Sequence, residues 1–170
     1  MACIVITGFM ATGKSTVGRR LAKHLGRPFV DTDQLVETQA GKKVTEIFAN
    51  EGEAGFRARE RQAVAAACAQ SDAVIAIGGG ALGDPESHRM LQAAGPIICL
   101  EATPEEILRR VGDARTRPLL ATAPDRLARI RELLAARDAT YRLATHRVDT
   151  TRVSIDTVVA RVAALIEAAE

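Results

Sequence analysis

Tryptophan is absent from this 170-residue chain and tyrosine occurs once. With aromatics at 3% of residues, the stacking platforms that single-stranded nucleic acids need are nearly missing. Cysteine is scarce too: Cys3, Cys68 and Cys99 show no metal-ligand spacing, and an odd number does not suit a disulfide framework. All three stand in apolar surroundings and read as core thiols. No apolar run reaches the roughly 18 residues of a membrane span. The apolar start MACIVITGFM lacks the basic residues and the small-residue cleavage site of a secretory signal. The expectation is therefore a soluble, cytoplasmic, monomeric single domain over 1–170, with neither nucleic acid nor membrane as partner.

Charge of one sign is also nearly absent in the balance, 23 basic against 21 acidic residues. The basic set is uneven, however, with 19 arginines and four lysines, and 11 arginines fall between Arg109 and Arg152. Arginine's planar fork suits carboxylates and phosphates, so this half of the chain is placed to meet an anionic small molecule. Most of these arginines nonetheless read as solvated helix surface.

What is present is an alternation of short apolar runs with longer amphipathic stretches. Residues 3–7, 29–31, 73–77, 97–100 and 146–150 read as strands, three of them continuously apolar as in strands covered on both faces. Helices are expected over 14–25, 33–40, 44–70 with a break near 50–53, 85–93, 104–111, 124–144 and 155–168. The alternation predicts an α/β fold, a parallel sheet with helices on both faces. Residues 112–123, GDARTRPLLATA, fit neither period and read as a mobile loop, a candidate lid.

The stretch Gly8-Phe9-Met10-Ala11-Thr12-Gly13-Lys14-Ser15 matches G-x-x-x-x-G-K-[ST], after an apolar strand and before a helix. Backbone N–H groups of such a loop turn inward around phosphate oxygens, and the helix N-terminus adds positive potential. Lys14 reaches the β- and γ-phosphates and the Ser15 hydroxyl meets Mg²⁺. Ala11, Thr12, Gly13, Lys14, Ser15 and Thr16 thus form the expected nucleotide-binding set, with a nucleoside triphosphate and Mg²⁺ implied.

A guanine-reading Asn-Lys-x-Asp is missing, which disfavours a GTPase. The strand over 73–77 ends in Gly78-Gly79-Gly80 instead of an acidic residue, and bare backbone there suggests close approach of a ligand. Asp31 and Asp33 follow the second strand. In extended geometry both project to one side, one to steady Mg²⁺ and the other to orient a hydroxyl and take its proton. The competing reading makes Asp33 only a helix N-cap. Arg57, Glu60 and Arg61 share one helix face.

The ordered set GFMATGKSTVG, DTD, Gly52-Glu53 with Phe56-Arg57, GGGA, RPLL and a late R-x-x-x-Y is similar to that of shikimate kinases, over nearly the whole chain. The resemblance implies transfer of the γ-phosphoryl of ATP to the 3-hydroxyl of shikimate, a step toward chorismate and the aromatic amino acids. It implies a three-layer, nucleoside-monophosphate-kinase-like P-loop fold with strand order 2-3-1-4-5, a lid about 112–123 and a substrate-binding region about 33–61. By the same resemblance Asp33 is the hydroxyl-orienting carboxylate and Asp31 the water-mediated Mg²⁺ partner. Arg57 and Arg137 grip the substrate carboxylate, and Gly79, flanked by Gly78 and Gly80, offers backbone to its hydroxyls. Arg117 closes on the ATP phosphates with Lys14, Arg110 packs on adenine, and Arg152 stands close to the position of the family's late adenine-contacting arginine.

Two departures stand out. Arg137 is followed by Asp138, which either weakens its field or points to solvent, and Arg152 is followed by Val153 where another arginine can occur. Another small-metabolite kinase of this fold, such as a gluconate kinase, is the alternative. A silent nucleotide-binding module is disfavoured because Lys14, Asp33 and Arg117 are all present.

Overall fold

The computed structural model of the chain describes residues 1–112 and 118–169. Its elements run β1 (Ile4–Gly8), α1 (Lys14–Leu25), β2 (Phe29–Asp31), α2 (Thr32–Ala40), α3 (Val44–Cys68), β3 (Val74–Ala76), a 3-10 turn (Ala81–Gly83), α4 (Pro85–Ala94), β4 (Ile97–Glu101), α5 (Pro104–Val111), α6 (Pro118–Ala121), α7 (Arg126–Tyr141), β5 (His146–Asp149) and α8 (Ile155–Glu167). Among the described residues five strands form one parallel sheet in the order β2-β3-β1-β4-β5.

Alternation along β1 shows why the sheet is the middle of three layers. Ile4 and Ile6 face α1 and α8, packing with Val17, Leu21, Val158 and Val162. Cys3 and Val5 face the other way, against Val64, Leu82 and Leu91. Both faces are buried, so the strand carries no polar alternation. β1 therefore lies at the centre, and its carboxyl end, where the chain order reverses, is the place such sheets bind ligands.

Local chemistry sets most boundaries. Asp84, Thr103, Asp125 and Ser154 each accept a backbone N–H from the first turn of the following helix, while Gly26 and Gly41 close α1 and α2 in the left-handed conformation. The break expected near 50–53 falls at Gly52, with φ 71° and ψ −174° inside α3. The cap at Asp125 starts α7 later than its expected residue 124. Part of the stretch read as a loop, Pro118–Ala121, is a helical turn; the remainder from 113 to 117, with Arg117, lies outside the described residues.

Candidate active site

The phosphate loop is the turn between β1 and α1. Ala11 takes φ 59°, and Gly13, the N-cap of α1, takes φ 90° with no side-chain cap bond. The first-turn donors and the helix's positive end are thus not taken up by a capping side chain, an arrangement suited to an anion. Thr12 braces the turn by donating from Oγ1 to the Phe9 carbonyl at 2.7 Å. Lys14 Nζ donates to the carbonyls of Gly8 at 2.9 Å and Phe9 at 3.3 Å, which holds the amine over the loop. Thr16 is exposed in the first turn of α1.

The two aspartates are arranged differently from an extended pair. Asp31 ends β2 and is itself the N-cap of α2, its Oδ1 accepting the N–H of Asp33 at 3.0 Å and of Gln34 at 3.3 Å. Asp33 is therefore in the first helical turn and is not the cap. The strand-to-helix turn, rather than strand periodicity, brings the two carboxylates near each other. Asp31 Oδ2 accepts the Ser15 hydroxyl at 2.9 Å, joining the end of β2 to the phosphate loop. Asp33 opens on the cleft, but the cleft walls strip away much of the bulk solvent. That desolvation, then the charge of Asp31, raises its pKa against the pull of Lys14 and Arg57.

Asp33 borders a cavity of about 580 Å³ with Arg57 and Glu60 of α3, Gly78–Gly80, Leu119 and Arg137 of α7. The three glycines are packed in turn against its charged groups. A Cβ on Gly78 would sit 3.1 Å from Asp33 Oδ1 and 3.2 Å from Glu60 Oε2; on Gly79, 2.5 Å from Arg137 Nη1 and 3.2 Å from the Gly8 carbonyl; on Gly80, 2.5 Å from Arg57 Nη2. The run is bare because two guanidinium groups, a carboxylate pair and the phosphate loop all close on it.

Glu60 is 1% exposed and accepts from Arg57 Nη1 at 2.6 Å. Burial raises its pKa despite that bond. Arg61, expected on the same face, turns instead to Asp84 at 3.1 Å, because α4 rather than the cavity lies on its side of α3. The Arg137 guanidinium lies 5.8 Å from the centroid of the Phe9 ring, and Tyr141 one turn on has its phenol pKa raised by burial, with Arg137 opposing. Asp138 pairs with Arg142 at 2.8 Å and Arg147 at 3.7 Å, so it does not stand alone in solvent.

At the nucleotide end, Arg110 is tightly engaged by protein, bonding Glu106, Ala11 and Thr150. Such bonds lie in the guanidinium plane and leave its faces for a ring. Arg152 is exposed in a turn at φ 53° and makes no side-chain bond to the described residues. Sequence reasoning missed the buried ring of Phe9, the stacked Phe48 and Phe56 with centroids 4.5 Å apart, and Leu119. Phe56 left a trace beside Arg57, and Leu119 one within RPLL, but neither was assigned to the cavity. A groove of about 850 Å³ between α1 and α8 lies at the far end of α1 from the phosphate loop and gathers no such set of groups.

A phosphate loop opening onto a cleft with an acceptor-sized cavity, on a parallel 2-3-1-4-5 sheet, belongs to the P-loop kinases of small molecules. The model of the shikimate kinase family matches residues 10–167. A shikimate kinase of Symbiobacterium thermophilum is 49% identical over 161 residues, covering 94% of this chain and 92% of that protein; one of Caldanaerobacter subterraneus is 46% identical over 158, covering 93% and 92%. The solved shikimate kinase from Acinetobacter baumannii in complex with shikimate is 33% identical with a TM-score of 0.92, over 100% of this chain and 95% of that one. The chain belongs to the shikimate kinase family and is an ATP-dependent phosphotransferase acting on a small molecule. No helix of the described residues is long and apolar enough to cross a membrane.

Proposed function

We propose that the enzyme transfers the γ-phosphoryl group of ATP to the 3-hydroxyl of shikimate, giving shikimate 3-phosphate and ADP, as a cytoplasmic monomer. The observation that carries this reading is the meeting of Asp33, Arg57 and Arg137, from three separate helices, at Gly78–Gly80 beside the phosphate loop. Two guanidinium forks suit one carboxylate and carboxyl recognition selects a polyol acid over water. Two of the large apolar side chains left exposed, Phe48 at 41% and Leu119 at 46%, flank this cavity instead of forming a separate docking face.

Asp33 accepts the hydrogen bond of the 3-hydroxyl and, as the oxygen attacks the γ-phosphorus, its proton. A raised pKa makes it a better base than an ordinary carboxylate. Lys14 moves from the Gly8 and Phe9 carbonyls to the phosphates, exchanging neutral acceptors for anionic ones. The loop N–H groups, with Ala11 to Thr16, hold the phosphate chain. Arg110 and Arg152 border the adenine, and Arg117 closes on the phosphates and excludes water.

The Ser15 hydroxyl and Asp31 carboxylate fit Mg²⁺, being paired oxygen donors beside the loop. Mg²⁺ commonly keeps phosphate and water ligands beside one or two protein oxygens. When bound, Mg²⁺ neutralises charge on the β- and γ-phosphates. Ser15 would hold it directly, and Asp31 through water.

The test is ADP release from MgATP with shikimate, gluconate, a nucleoside monophosphate or no acceptor. Release only with shikimate, lost in Arg57→Ala and Asp33→Asn, supports the assignment. Equal release with every acceptor, or with none, overturns it.

A further inference from the structure

Glu106 is a buried carboxylate at the nucleotide end that takes no part in the chemistry above. It follows Thr103 by three residues, the spacing of a capping box, in which the acid reaches back to the cap's own N–H. Thr103 Oγ1 does accept the Glu106 N–H at 3.3 Å, but the Thr103 N–H goes to Thr151 Oγ1 at 3.0 Å. The Glu106 carboxylate, 4% exposed, instead turns along α5 to two arginines. Oε1 accepts from Arg109 Nη2 at 2.5 Å and Arg110 Nε at 3.0 Å, and Oε2 from Arg109 Nε at 3.0 Å. These bonds, that of Arg109 first, bring its pKa down to about 2, so the group is charged throughout the working range.

The two arginines then diverge. Arg109 is 70% exposed and has no other partner among the described residues. Arg110 is 22% exposed; its Nη1 donates to the Ala11 carbonyl at 3.1 Å and Thr150 Oγ1 at 3.0 Å, and its Nη2 to the Thr150 carbonyl at 2.6 Å. Thr150 is tied in turn to the Glu101 carbonyl through Oγ1 at 2.7 Å. Ala11 is the phosphate-loop residue at φ 59°, a backbone state that a non-glycine residue keeps only where its surroundings hold it. A largely buried guanidinium holds such a span only when an anion neutralises and aims it.

We propose that Glu106 is a positioning residue for the phosphate loop: by fixing Arg110 it holds the Ala11 carbonyl, and with it the left-handed turn that presents the loop N–H groups to phosphate. This rests on the nucleotide site proposed above, but not on the identity of the acceptor. Glu106 acts without touching nucleotide, and what it controls is the phosphate cradle as well as the base-stacking arginine.

The test compares Glu106→Gln, Glu106→Asp and Arg109→Ala in steady-state kinetics, thermal unfolding and direct binding of ATP and of inorganic tripolyphosphate, which has no base. Glu106→Gln is expected to raise KM for ATP and Kd for both ligands by about tenfold, with kcat and KM for shikimate held within about twofold. Glu106→Asp, which keeps the charge but withdraws it, gives a smaller loss of the same sign. Arg109→Ala leaves both affinities at the wild-type value. Combining Glu106→Gln with Arg110→Lys adds little beyond the larger single loss, because both act through one group. Unchanged tripolyphosphate binding in Glu106→Gln, or a lower melting temperature without any change in Kd, overturns the proposal. Tripolyphosphate binding needs no acceptor, so a wrong acceptor would show separately, in the wild-type ADP-release assay.

Discussion

The phosphate loop takes its groups from one stretch, Gly8–Ser15, and mostly from backbone; the acceptor cavity takes Asp33 from α2, Arg57 and Glu60 from α3, Arg137 from α7 and three glycines from the turn after β3. The two meet at Gly79, which faces both Arg137 and the Gly8 carbonyl. A site made of consecutive peptide groups is set by local dihedrals and tolerates no side chain where the chain must pass close. A site made of side chains on separate elements is set by packing, and its parts can be removed one at a time. Damage to the loop should therefore appear as lost stability and lost nucleotide binding together, whereas damage to the cavity should appear in acceptor kinetics with the fold intact.

The largest expected effect is that of Asp33→Asn, which keeps shape and removes the proton acceptor. A fall in kcat of about 10²–10⁴ with little change in ATP affinity is the expected result. The same change should stabilise the fold at neutral pH. An acid whose pKa is raised on folding burdens the folded state once ionised, so its contribution to stability falls as pH rises through the interval above the unfolded value of 3.8. Wild type and variant should thus melt alike below about pH 4 and diverge above it, and the acid limb of wild-type kcat/KM should lie above the ordinary aspartate range. Melting curves that stay parallel across pH would break this link.

Gly8→Ala comes next. Gly8 has φ 149°, and an added Cβ would strike the Leu100 carbonyl of the neighbouring strand, which cannot swing away. A loss of about 3 kcal/mol in denaturant unfolding is expected, with nucleotide binding lost alongside. Gly79→Ala is the counterpart across the cleft. Its Cβ meets most closely the end of Arg137, which can move, and comes no nearer than 3.2 Å to the Gly8 carbonyl, so KM for the acceptor should rise about tenfold while the melting temperature falls by less than in Gly8→Ala. If both glycine variants lose stability equally, the contrast between the two halves of the site fails.

The smallest effect is expected at Asp138. Its partners Arg142 and Arg147 are on the surface, and the group pairs with them rather than with Arg137. Asp138→Asn should change stability by no more than about 0.5 kcal/mol and leave acceptor KM as it was. A clear fall in acceptor KM would show that the Asp138 charge weakens Arg137 after all.

Much of this was legible beforehand, and the failures share a cause. The loop motif, the glycine run and the helix break at Gly52 each depend on neighbours in sequence, and each stands where it was expected. Asp31 was misjudged because the first turn of a helix begins one residue after it, so strand alternation no longer applies. Arg61 was grouped with Arg57 on helical spacing, yet one further step around α3 turns it to Asp84. Phe9 and Glu106 left no signal: an x position in a loop motif and an acid in a helix's first turn are ordinary until the structure shows Arg137 near one ring and Arg110 on the other carboxylate.

By itself the sequence determined the alternation of strands and helices, the continuous burial of the central strands and the phosphate loop, since propensity, apolar period and glycine dihedrals act over a few residues. The gathering of Asp33, Arg57 and Arg137 at Gly78–Gly80, the pairing of Ser15 with Asp31, and the tie from Glu106 through Arg110 to Ala11 were decided only by the tertiary structure. Those contacts join residues from 16 to 99 positions apart where the intervals are given. Which side chains meet at such separations depends on how the helices pack on the sheet, and one-dimensional spacing carries no record of it.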